Sequence, residues 1–136
     1  KITGPLRMKY AIVPHRGKWD KAAIATKSDC WNEPLLCSYH PSVKLESRSL
    51  VNLKNSGYQV SAANMKDGKI ILRLFNAEGD KKQHNITFDI PLSSIEEVDL
   101  NGRIIDRKTI KTRAGKSEIS ISIPRFGIKT FALNLN

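Results

Sequence analysis

The chain has 136 residues, of which 40% are hydrophobic. That is the length of one domain with enough apolar material for a core without metal or disulfide staples, which excludes a disordered tail. No apolar run approaches the roughly 18 residues of a membrane-spanning helix, so no membrane partner is expected. The net charge of +10 brings nucleic acid, lipid head groups and acidic polysaccharide into consideration. The plainer reading is a solubilising surface, or one that complements an acidic neighbouring domain.

The sequence opens abruptly on Lys1-Ile2-Thr3-Gly4-Pro5 and closes on the apolar pattern Phe131, Leu133, Leu135. It is therefore expected to be a fragment, 1–136 being one C-terminal domain of a larger protein. Met8 to Pro14 has the composition of a strand, and His15-Arg16-Gly17-Lys18 turns the chain. Trp19, Ala22, Ala23, Thr26 and Cys30 then fall on one face of a short helix, which Asn32-Glu33-Pro34 ends. This face, Trp19 included, is expected in the core. Leu35 to Ser49 is expected to be loop.

From Leu50 onward the pattern is a succession of strands. Leu50–Lys54 comes first, then Tyr58–Met65 and Lys69–Asn76 around Asp67-Gly68, a strong hairpin signal because that turn needs positive φ. Apolar residues on both faces of Lys69–Asn76 suggest a strand covered on two sides. After a polar turn come His84–Ile90, Ile95–Leu100 and Arg103–Ile105, the last two joined through Asn101-Gly102. Thr109–Thr112 and Glu118–Ile123 flank Ala114-Gly115, and Gly127–Leu135 closes the chain. Short strands at regular spacing with Gly-bearing turns predict an all-β fold, a β-sandwich of antiparallel strands with one short helix near the N-terminus.

The search for chemistry yields little. His15, His40, His84, Cys30 and Cys37 have neither HxxxH nor CxxC spacing, so no metal site is expected. The same residues offer Cys–His pairs only on paper; Cys30 and Cys37 could form a disulfide in an oxidising compartment, and the plainer expectation is two buried thiols. Glu96 and Glu97 are adjacent on a strand and point to opposite faces, so they do not converge as an acid–base pair; Glu97 and Asp99 share a face expected to be solvated. No catalytic residue is assigned. Arg103, Arg107, Lys108, Lys111, Arg113, Lys116, Arg125 and Lys129 form a basic stretch interleaved with only one aromatic, Phe126, so no nucleic-acid partner is expected. Trp31, Tyr39 and Tyr58 are candidate carbohydrate contacts, since sugar sites use aromatic platforms.

Several segments, in order, resemble the C-terminal region of family 38 glycoside hydrolases, the α-mannosidases. They are Tyr10-Ala11-Ile12-Val13-Pro14-His15-Arg16-Gly17-Lys18-Trp19, Asn32-Glu33-Pro34-Leu35, Leu53-Lys54, Ile71-Leu72-Arg73-Leu74-Phe75-Asn76 with Glu78-Gly79, Val98-Asp99-Leu100-Asn101, and Pro124-Arg125-Phe126-Gly127-Ile128-Lys129-Thr130. The resemblance implies a non-catalytic β domain that supports a zinc-dependent catalytic domain of the same polypeptide, where α-mannosidic linkages are hydrolysed. No zinc or other cofactor is expected in this part. His15, Arg16, Gly17 and Trp19 are the residues expected to form the domain contact, and the implied setting is periplasmic or secreted. An independent carbohydrate-binding module and a basic nucleic-acid-binding domain are the alternatives.

Overall fold

A computed structural model describes residues 4–5, 7–19, 22–33, 36–37, 39, 49–53, 57–78 and 82–136. Among the described residues one helix, α1 (Ile24–Asn32), precedes nine strands: β1 (Val51–Asn52), β2 (Tyr58–Lys66), β3 (Lys69–Asn76), β4 (His84–Phe88), β5 (Leu92–Val98), β6 (Ile104–Lys108), β7 (Lys111–Arg113), β8 (Lys116–Ile121) and β9 (Ile128–Leu135). They form two antiparallel sheets, β1-β4-β8-β7 and β2-β3-β9-β5-β6. The all-β sandwich expected from the sequence is present.

Alternation places the core. In the five-stranded sheet one face carries the rows Ile70–Leu133–Ile95 and Leu72–Phe131–Glu97. Leu72, Leu74, Phe131, Leu133 and Ile95 meet Ile86, Phe88, Ile119 and Ile121 of the other sheet in one buried cluster. Each large side chain removed from water there stabilises the fold by about 1.5–3 kcal/mol. The outward rows are Ile71–Ala132–Glu96 and Arg73–Thr130–Val98. Ala132, Thr130, Val98 and Glu96 are buried on this side too, and Ile71 is half-buried. The two-sided character expected for β3 therefore extends to β9 and β5, but not to the exposed edge strands β2 and β6.

The turns follow residue chemistry. Asp67 and Gly68 (φ 51° and 76°) and Ala114 and Gly115 (φ 51° and 73°) have the positive-φ pairs of tight hairpins. The Asn101-Gly102 connection is longer than the two-residue turn expected. Asp99 Oδ1 accepts the N–H groups of Asn101 and Arg103, both at 2.8 Å, and only Gly102 (φ 85°) is left-handed. An aspartate at the turn's start competes for these backbone donors and moves β6 to Ile104–Lys108.

The N-terminal expectations need correction. Met8–Pro14 is not a strand, and Met8, Tyr10 and Ile12 are 80%, 86% and 85% exposed. α1 begins at Ile24 rather than near Trp19 and buries no residue. Its N-cap Ala23 is left-handed and offers no side-chain cap, and no acidic residue occupies the first turn, so intrinsic helix stability is low. Cys30 and Cys37 are both exposed, not buried. His40 and most of the 35–49 loop lie outside the described residues.

Candidate interaction face

β8 ends at Ile121, two residues before the fully buried Ile123. Both backbone groups of Ile123 are held by side chains. Its N–H donates to Tyr58 Oη at 3.0 Å, and its carbonyl accepts Asn76 Nδ2 at 3.0 Å. Tyr58 and Asn76 are themselves register partners across β2 and β3. Tyr58 Oη also donates to the Lys82 carbonyl at 3.3 Å, and its ring meets His84 edge-on at 5.1 Å. Tyr58 is thus a core residue, which removes it from the candidate carbohydrate contacts: a ring buried on both faces cannot stack on a sugar.

This clamp fixes the start of a turn. Gly127 N–H donates to the Pro124 carbonyl at 2.8 Å, and Asn76 N–H donates to the Gly127 carbonyl at 3.0 Å. A Cβ on Gly127 would lie 3.0 Å from that Pro124 oxygen, so glycine suits the close approach. Between these anchors Phe126 is left-handed, with φ 54°. For a bulky side chain that conformation costs on the order of 1–2 kcal/mol and persists only where its surroundings enforce it.

The strained residue is not buried. Phe126 is 47% exposed and Trp19 44%. The two rings stack at 5.8 Å with an interplanar angle of 15°, and the Arg125 guanidinium lies 5.0 Å from the Phe126 centroid. Trp19 was expected on a buried helix stripe; it leaves the helix and packs on the turn instead. His15, Arg16 and Gly17 lead into Trp19 and are exposed, with Gly17 left-handed at φ 75°. Sequence reasoning missed Phe126 and Arg125, whose only signal was the Pro-Arg-Phe-Gly segment itself.

Part of the basic stretch is neutralised locally. Glu97, expected on a solvated face, is buried, and its carboxylate meets Lys108 and Lys129 at 2.9 Å each. Burial pushes this carboxyl up, but the two ammoniums outweigh burial and hold it below the ordinary value of 4.5. Lys108 also reaches Asp106 at 2.6 Å. Burial pulls the Lys108 ammonium down, and its two carboxylates more than offset this, so it stays protonated above the usual 10.5. Glu96 lies on the outward face, 3.4 Å from both Lys69 and Arg107. The basic stretch is therefore partly an ion-pair framework rather than one solvated strip.

Trp31 and Tyr39 are exposed, and Trp31 joins Met8, Lys9, Tyr10 and Asn32 around an open groove of about 640 Å³. Among the described residues no three His, Cys, Asp or Glu side chains cluster as metal ligands, so these residues do not fit a zinc site. Among them, too, no helix is long and apolar enough to cross a membrane.

Architecture and site together define an antiparallel β-sandwich that displays a braced aromatic turn. The family model for the glycosyl hydrolases family 38 C-terminal beta sandwich domain matches residues 58–131. That is more than half of the chain, and the chain belongs to this family. No curated protein and no solved structure matches it.

Proposed function

We propose that this chain is the C-terminal accessory domain of a larger family 38 α-mannosidase, and that it packs against and supports a zinc-dependent catalytic domain of the same polypeptide. The observation that carries this reading is the exposed Trp19–Phe126 stack on a left-handed Phe126. A strained, half-exposed aromatic held by a buried clamp is unfavourable for an isolated domain and favourable where a partner covers it. His15, Arg16, Gly17 and Trp19 form one edge of this contact, and Arg125 and Phe126 extend it. The isolated chain is expected not to hydrolyse an aryl α-mannoside or retain zinc; zinc-dependent turnover by the pure chain would overturn the reading. In the full-length enzyme, Trp19→Ala with Phe126→Ala should lower the thermal midpoint more than the same pair does in the isolated chain.

A second reading, sugar contact through Trp31 and Tyr39, draws on the groove that Trp31 shares with Tyr10. Aromatic faces beside Lys9 and Asn32 suit a pyranose ring. Mannose should then quench tryptophan fluorescence in the wild-type chain and not in Trp31→Ala. No quenching in either would dismiss it.

A further inference from the structure

A cleft of about 340 Å³ opens where the β6–β7 crossover passes β4 and β8. β7 pairs with β8 only as far as Lys111↔Glu118, while β4 accompanies β8 to Ile121, so β8 runs on past its neighbour. Gln83, Asn85, Thr109 and Ser120 line this opening with Lys111. Among the described residues none of these five side chains has a hydrogen-bond or ion-pair partner. The neighbouring charges are already engaged: Lys108 holds Asp106 and Glu97, and Arg107 lies 3.4 Å from Glu96. Lys111 is thus the unpartnered cation of a cleft that also takes in the ion-paired Asp106, Arg107 and Lys108, the Glu118 carboxylate, and these neutral amides and hydroxyls.

We propose that this cleft binds a saccharide carrying one acidic group. The volume suits a small ligand, and amide and hydroxyl side chains match the alternating donors and acceptors of sugar hydroxyls. Lys111 meets the acid, and the chain's net charge of +10 raises the local concentration of anions. The acidic group is a carboxylate or a phosphate ester, both of which an ammonium recognises as a point charge. The site shares no residue with Trp19, Phe126 or the groove at Trp31, and it stands or falls apart from the proposed domain contact.

The test is a titration of the 136-residue chain, followed by its ¹H–¹⁵N spectrum, with glucuronate, glucose 6-phosphate, mannose and inorganic phosphate. An acidic sugar should shift the side-chain amide signals of Gln83 and Asn85 and the backbone signals of Ile119–Ile121; which acidic sugar binds tighter identifies the acid. Lys111→Ala should weaken that binding about tenfold, the loss of one charged hydrogen bond. Asn85→Ala should weaken it as well while leaving the charge unchanged. Both positions are exposed, so the unfolding midpoints of the two variants should match the wild type. Mannose binding as tightly as the acidic sugars would overturn the proposal. So would inorganic phosphate producing the same shifts, Lys111→Ala binding like the wild type, or a cleft that no acidic sugar perturbs.

Discussion

The segment from Met8 to Asn32 and the sandwich from Tyr58 to Leu135 use similar residues to opposite ends. Met8, Tyr10 and Ile12 alternate as Ile119 and Ile121 do, yet the first set is exposed and the second buried. The difference lies in partners. β8 pairs with β4 and faces the other sheet, whereas residues 8–14 pair with no strand among the described residues. Alternation makes a segment competent to be a strand, and only a neighbouring edge makes it one. A helix without a buried residue teaches the same lesson for α1, which Gln59 Nε2 tethers through Asp29 Oδ2 at 2.6 Å.

The two regions differ most in what their side chains bury. Phe131→Ala should destabilise the chain by about 3–5 kcal/mol, whereas Tyr10→Ala should change stability by no more than about 0.5 kcal/mol. Denaturant midpoints of the two variants would read this contrast. If Tyr10→Ala were as damaging as Phe131→Ala, the N-terminal segment would have a core of its own.

The clamp around Ile123 comes next. Tyr58→Phe leaves the Ile123 N–H without its acceptor, and Asn76→Ala leaves the carbonyl without its donor. Each should cost about 1–3 kcal/mol, measurable by urea unfolding. The pair should be non-additive, since both hold one residue.

Acid should act through Glu97. Its folded pKa is lowered, so its contribution is fully present above the unfolded value near 4.5 and is lost as pH falls through the folded value. Glu97→Gln should therefore be less stable than the wild type at neutral pH, with the difference in thermal midpoint closing as the pH falls through the lowered folded pKa of Glu97. A difference unchanged by acid would mean that the ion pairs with Lys108 and Lys129 do not stabilise the fold.

The smallest effects concern left-handed residues. Ala114→Asn should stabilise the β7–β8 hairpin by about 0.5–1 kcal/mol, because asparagine tolerates positive φ. Phe126→Gly relieves the same strain but loses a stack of about 0.5–1.5 kcal/mol, so in the isolated chain it should come out within about 1 kcal/mol of neutral. Thermal unfolding of the two variants would separate hairpin geometry from the aromatic contact.

Much of the sandwich is legible in the sequence, because turn chemistry is local. Asp67-Gly68 and Ala114-Gly115 announce their hairpins, and Ile119 and Ile121 announce their buried face. The aromatic face is less legible. Trp19 and Phe126 come from opposite ends of the chain, and nothing in either neighbourhood signals the other. Tyr58 looked like a platform because a tyrosine at a strand's start has no local mark of burial; the buried Ile123 N–H is what draws it inward. Helical spacing placed Trp19 in the core, but that spacing carries no information about whether a surface waits opposite.

The proposed domain contact requires that a neighbouring domain cover the Trp19–Phe126 face. Hydroxyl-radical footprinting of these two side chains, in the isolated chain and in the full-length enzyme, tests it most directly. Strong modification in the isolated chain and protection in the full-length enzyme is the expected result. Equal modification in both would contradict the account, leaving the braced turn facing solvent.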